Sequence, residues 1–187
     1  MRTGLVVVSG APGSGKTTLA RRLAGELTMP LLSRDALKEI LLDTLGADDR
    51  AASQCLGVAS YALLAGMLDT LVGTVPGLVV ESNFTRGRAE GELAPLVQRA
   101  DAVFLHCETT REEIVRRIDA RSGDGERHSG HFDAVALPDV LDRLAAGAFD
   151  PLDLPAPKLR IDTTDGYAPP WSRIVRFVHD ARTKSTG

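Results

Sequence analysis

The stretch Gly10-Ala-Pro-Gly-Ser-Gly-Lys-Thr17 places three glycines, a proline, a lysine and a threonine between an apolar run, Leu5 to Val8, and a segment where Leu19, Leu23 and Leu27 recur every four residues. The β-branched run suits a parallel strand covered on both faces, and the leucine spacing suits an amphipathic helix with Arg21, Arg22 and Glu26 off its apolar face. The pattern G-x-x-x-x-G-K-[ST] between a buried strand and a helix has a physical purpose. Glycine conformations free successive main-chain N–H groups to point inward, and the helix N-terminus adds its dipole, so the loop grips phosphate. Lys16 then supplies a mobile cation for β- and γ-oxygens, and the Thr17 hydroxyl can ligate Mg²⁺. The expected nucleotide-binding residues are Gly10, Ala11, Pro12, Gly13, Ser14, Gly15, Lys16, Thr17 and Thr18.

Downstream, strand and helix patterns alternate. A short strand is expected at Pro30 to Ser33, with Asp35 able to cap a helix from Ala36, because a carboxylate accepts the unpaired first-turn N–H groups. A polar loop (Gly46 to Ser53) leads into a long helix (Ser53 to Val72), and a Val75-Pro76-Gly77 turn leads into a buried-type strand (Leu78 to Glu81). Helix is expected over Ala89 to Arg99, strand over Ala102 to Cys107, and helix over Thr110 to Arg121. A glycine-rich, charged segment, Ser122 to Gly130, has no periodicity; a short helix (Leu137 to Ala146), a last strand (Lys158 to Asp162) and a closing helix (Trp171 to Ala181) follow. Such alternation implies an open parallel α/β sheet whose ligands sit beyond the carboxyl ends of the strands.

Composition sets the outer limits. At 187 residues and 43% hydrophobic the chain can bury one sizeable core, so a single domain spanning 1–187 is expected. The net charge of −3 and the 4% aromatic content disfavour nucleic acid as partner, since neither a cationic field nor stacking surface is abundant. Cys55 and Cys107, each inside an apolar run, read as two buried structural thiols. The apolar stretch Cys55 to Leu68, interrupted by Gly57, Ser60 and Gly66, is shorter than the roughly 18 residues of a membrane span and reads as a core helix. The N-terminal apolar run is too short for a signal peptide, so cytoplasmic residence and no membrane association are expected.

A guanine-reading N-K-x-D motif is absent, and a motor or remodelling ATPase would need more chain, which leaves the small kinases. Four segments, GAPGSGKTT, LLSRDALKE, VVESNF and RRIDARSGDGERHSGHFD, together resemble the P-loop kinase-like ATP-binding proteins related to polynucleotide kinase, zeta toxin and chloramphenicol phosphotransferase. The resemblance spans nearly the whole chain. It implies a three-layer P-loop NTPase fold: a parallel five-stranded sheet in the order 2-3-1-4-5, helices on both faces, and a small lid at about 117–133. It also implies an ATP- and Mg²⁺-dependent phosphotransferase, with the aspartate after strand two as the group that orients or deprotonates the acceptor hydroxyl, a role that falls on Asp35.

On the acceptor side, Arg34 and Lys38 flank Asp35 and suit an acidic substrate or a solvated face equally. Glu81 ends the third strand where a Walker B acid would help hold Mg²⁺; glutamate in place of the commoner aspartate makes a substrate-facing role comparable. Asn83, Phe84 and Arg86 bring a hydrogen-bonding group, an aromatic face and a cation to the expected acceptor pocket. Arg117 and Arg121, four apart on a helix, project from one face, and Arg127 lies in the loop beyond; guanidinium groups on a closing lid would stabilise the charge that develops in phosphoryl transfer. His128 and His131 lack the further ligands a zinc site needs and suit lid or substrate contacts. Thr163 and Thr164, after the last strand, fall where related kinases pass beside the adenine.

The resulting expectation is transfer of the γ-phosphate of ATP to a hydroxyl of a small molecule. A 5'-hydroxyl nucleic acid or sugar nucleotide is the alternative acceptor, and an ATP-binding or ATP-hydrolysing regulatory module is the alternative of another class. The acceptor and the oligomeric state are not specified by the residues.

Overall fold

The structure, a computed structural model, describes residues 2–123 and 133–183. Its twelve elements run β1 (Thr3–Gly10), α1 (Lys16–Leu27), β2 (Leu31–Ser33), α2 (Arg34–Leu45), α3 (Arg50–Leu71), β3 (Gly77–Glu81), α4 (Ala89–Arg99), β4 (Ala100–Glu108), α5 (Arg111–Gly123), α6 (Asp133–Ala145), β5 (Lys158–Asp162) and α7 (Trp171–Thr183). The five strands form one parallel sheet in the order β2-β3-β1-β4-β5, as the resemblance implied.

Central β1 is buried along its whole length, because alternate residues feed opposite layers. Leu5 and Val7 join Leu78, Val80 and Phe104 on one face under Leu64 and Leu68 of α3 and Leu93 and Leu96 of α4. Val6 and Val8 join Val79, Val103 and Leu105 on the other, covered by Leu19 and Leu23 of α1 and by Ile174 and Val178 of α7. A third cluster, with Ala11, Ile114, Ile118 and Phe149 at its centre, packs α5 and α6 beside the glycine-rich loop. The register aligns Val8 with Glu81 and Ser33 with Glu81, so the ends of β1, β3 and β2 meet at one carboxyl edge.

Three expectations are corrected. The cap of α2 is Ser33, whose Oγ accepts the Ala36 N–H at 3.5 Å; Asp35 lies inside the first turn. Cys55 is exposed and only Cys107 is buried. The long helix starts earlier, at Arg50, capped by Asp49, and it is a core helix on one face only. Ser53, Gly57, Ser60, Leu64 and Leu68 face inward while Val58, Leu63 and Met67 are exposed. Among the described residues α3 alone is long and apolar enough to cross a membrane. Here its small inward residues bring it against α2, where the Gly57 carbonyl accepts a hydrogen bond from Arg34.

Candidate active site

The loop after β1 has the backbone its sequence requires. Gly10 has φ 142° and a β-carbon there would collide with the Cys107 carbonyl, while Gly15 has φ 79° and closes the loop as the residue preceding α1. No side chain caps α1, whereas Ser33 caps α2 and Asp49 caps α3. Its first-turn N–H groups are therefore left without a side-chain acceptor at the positive end of the helix dipole. Burial pushes the Cys107 thiol beneath the loop up to about 12, which leaves it inert packing.

Lys16 is buried and its Nζ lies 3.6 Å from Glu81 Oε1, within ion-pair range and beyond a hydrogen bond. The other carboxylate oxygen, Oε2, accepts the Ser33 hydroxyl at 2.7 Å. Glu81 is itself fully buried, so one carboxylate ties the loop's lysine to the residue that caps α2. Glu81 Oε1, Ser14 Oγ and Ser82 Oγ are all buried without a hydrogen-bond partner. Native interiors rarely leave such atoms unsatisfied, and their concentration around the loop and the end of β3 fits a site shaped for a polar ligand. Half-buried Thr17 stands at the start of α1, while Thr18 is exposed. Among the described residues no group of three or more His, Cys, Asp or Glu could hold a metal.

Arg117 is already docked on the loop. Its Nη1 donates to the Gly13 carbonyl at 3.2 Å and to Thr163 Oγ1 at 3.1 Å, its Nη2 donates to the Thr163 carbonyl at 2.5 Å, and Glu113 accepts its Nε–H at 2.6 Å. Thr163 Oγ1 in turn donates to the Ser14 carbonyl at 2.8 Å, and Thr164 meets Thr109 through its hydroxyl at 3.0 Å. Arg117, Thr163 and the loop thus form one unit at the ends of β1 and β5. The side chain of Arg121, on α5, lies outside the described residues, and so do Arg127, His128 and His131, with most of the expected lid.

Beside the loop, across the end of β3, opens a cavity of about 360 Å³ whose walls come from α2, α3, the segment after β3, and α6. Arg34 and Lys38 line it; Nη1 of Arg34 donates to Asn83 Oδ1 at 2.8 Å, and Lys38 Nζ donates to Ser53 Oγ at 2.8 Å. Burial, opposed chiefly by the charge of Asp35, holds the Arg34 guanidinium below its ordinary pKa. Asp35 is half-buried on the first turn of α2, next to Arg34, and is not itself among the cavity's lining residues. Two further expected residues lie elsewhere. Phe84 is in the core, edge-on to Tyr61, and lines a separate apolar groove; Arg86 turns away to Asp150 at 3.4 Å. Eight of the lining residues were not foreseen, Tyr61, Arg88 and Arg143 among them. Arg88 stacks on Tyr61, its guanidinium carbon 5.4 Å from the ring centre, and Arg143 donates to Thr85 Oγ1 at 2.8 Å. No local motif marks them, because each reaches the cavity from a helix or turn whose rotation is set by tertiary packing.

The family model AAA_33, described as an AAA domain, matches residues 5–145. The chain belongs to this family of P-loop domains. A cytidylate kinase of Pyrobaculum arsenaticum is 32% identical over 164 residues, covering 86% of this chain and 84% of its relative. A solved structure of a putative kinase from Chloroflexus aurantiacus is 32% identical, with a TM-score of 0.81 over 97% of this chain and 99% of the other. The APS kinase CysC of Mycobacterium tuberculosis, at 18% identity and a TM-score of 0.56 over 96% and 97% of the two chains, shares the fold. The chain is accordingly an ATP-using P-loop kinase, a phosphotransferase whose acceptor the comparisons leave unassigned.

Proposed function

We propose that the protein moves the γ-phosphate of Mg²⁺-bound ATP to a hydroxyl of a small molecule seated in the cavity beside the loop. The observation that carries this reading is the shared sheet edge. The loop amides and Lys16 lie on one side of Glu81, and Arg34, Asp35 and Asn83 follow the ends of β2 and β3 on the other. When bound, Mg²⁺-ATP would supply the phosphoryl group, whose bond to the ADP oxygen breaks as the acceptor oxygen bonds to phosphorus. Lys16 and the first-turn amides of α1 hold phosphate oxygens, and Thr17 would hold the metal, with Glu81 reaching it through water or keeping Lys16 in place. Asp35 orients the acceptor hydroxyl and takes its proton. Arg117 fixes the loop against Thr163, and Arg121 and Arg127 are assigned to the transferring group.

A second reading has an observation of its own, the likeness to a cytidylate kinase: the acceptor atom would be a phosphate oxygen. The two differ at one proton. A hydroxyl must lose its proton, whereas a phosphate monoester at neutral pH presents an oxygen with none to lose. With a hydroxyl acceptor Asp35→Asn lowers transfer by about 10²–10⁴-fold while AMPPNP affinity is kept. With a phosphate acceptor the loss is small. Incubation with γ-labelled ATP and a panel of hydroxylated metabolites, antibiotics, nucleoside monophosphates and 5'-hydroxyl oligonucleotides identifies the acceptor. Label recovered only as inorganic phosphate, undiminished in Asp35→Asn, favours an ATP-hydrolysing regulatory module instead.

A further inference from the structure

Resting on the kinase reading, the chemistry of the cavity walls goes further than the identity of the reaction. Four cationic residues, Arg34, Lys38, Arg88 and Arg143, line the 360 Å³ space, and no carboxylate is among its described lining residues. Two of these cations have only neutral hydrogen-bond partners among the described residues. Arg34 donates to the Asn83 side-chain oxygen and the Gly57 carbonyl, and its Nε is buried with no partner at all. Arg143 donates to the Thr85 hydroxyl and lies over the Phe149 ring, 4.7 Å from its centre. Among the described residues neither forms an ion pair, although the surface nearby supplies carboxylates to other arginines: Glu92 to Arg88 and Asp150 to Arg86.

Holding the partly buried Arg34 guanidinium against neutral hydrogen-bond acceptors is costly, and Arg143, itself exposed, brings a second cation to the same cavity. Burial disfavours the Arg34 charge first, the neighbouring Asp35 favours it, and Arg143 adds a smaller repulsion. A bound anion would pair with both guanidinium groups, and the planar guanidinium fork matches an oxyanion.

We propose that the acceptor is itself an anion, carrying a phosphate or carboxylate group that Arg34 and Arg143 grip together, with Arg88 and Lys38 at the rim. The group fixes which end of the acceptor faces Asp35 and makes the enzyme selective against neutral alcohols of the same size. A cavity this small takes a metabolite-sized ligand rather than a polymer groove.

The test uses the full chain saturated with Mg²⁺-AMPPNP, so that the phosphate loop is filled, and titrates inorganic phosphate and malonate in a calorimeter. Saturable binding of at least one anion is expected, weakened about tenfold or more in Arg143→Gln and largely restored in Arg143→Lys, as loss of a charge-assisted hydrogen bond implies. Arg88→Gln, at an exposed position already paired with Glu92, weakens it only a few-fold and serves if Arg143→Gln melts early. Preference for phosphate identifies phosphorylated acceptors, and preference for malonate identifies hydroxy acids. AMPPNP uptake with no saturable anion binding, or anion binding that none of these substitutions weakens, overturns the proposal and leaves the kinase reading intact. Failure to take up AMPPNP overturns both.

Discussion

The two halves of the site are made of different material. The phosphate loop is main chain: one continuous segment, three of whose glycines take conformations that side chains resist, and an uncapped helix end. The acceptor cavity is side chain, assembled from α2, α3, the segment after β3, and α6. A main-chain nest recognises what all nucleoside triphosphates share and has little to vary. A wall of side chains from four elements can be retuned residue by residue, so specificity belongs there. Glu81 joins the halves, with Lys16 on one oxygen and Ser33, the cap of α2, on the other.

Removing the one side chain on which the main-chain half depends does the most damage. Lys16→Ala lowers phosphoryl transfer by about 10²–10³-fold, the size expected for one preorganised charge donor, in a labelled-ATP assay. A smaller loss would mean that the amides suffice alone. The joint comes next. Glu81→Gln leaves Lys16 buried without its counter-charge and costs about 3 kcal/mol in denaturant unfolding of the free protein. Saturating Mg²⁺-AMPPNP narrows that deficit, since phosphate replaces the carboxylate as the partner of Lys16. An equal deficit with and without nucleotide would place the nucleotide elsewhere.

Two smaller effects probe the scaffold behind the loop. In the native protein an alkylating reagent modifies Cys55 and spares Cys107, as peptide mass mapping checks; modification of both would mean that the floor of the loop opens. His106, on β4, meets Ser9 Oγ at 3.2 Å, and burial lowers its pKa from 6.5. The folded state therefore binds this proton less readily than the unfolded chain. The His106 contribution is complete above about pH 6.5 and is lost as pH falls toward the lowered value. Melting temperatures between pH 7.5 and 5.5 should decline less in His106→Gln than in the natural sequence.

The same division explains what the residues reveal unaided. Ala89–Arg99 and Lys158–Asp162 coincide with their expected bounds because period and punctuation are local signals. The phosphate loop is equally local, eight consecutive residues whose identities dictate their backbone. The cavity is not. Asn83 and Phe84 are neighbours in the chain, yet Asn83 faces the cavity and binds Arg34 while Phe84 enters the core, so proximity to a strand end does not decide which way a side chain turns. Arg143 reaches the cavity only because α6 packs on α5, where Leu137, Val140 and Leu144 lie against Ile114 and Ile118. Cys55 reads as buried from its apolar surroundings, but the helix that carries it buries a stripe of serine, glycine and leucine and leaves other apolar residues outside.

The most direct test of the account is calorimetric titration of Mg²⁺-AMPPNP into the natural protein and into Lys16→Ala. One nucleotide per chain, with affinity reduced at least about tenfold by the substitution, is the predicted result, since Lys16 contributes a charged contact to the phosphates. No heat of binding, or the same affinity in both proteins, would contradict it.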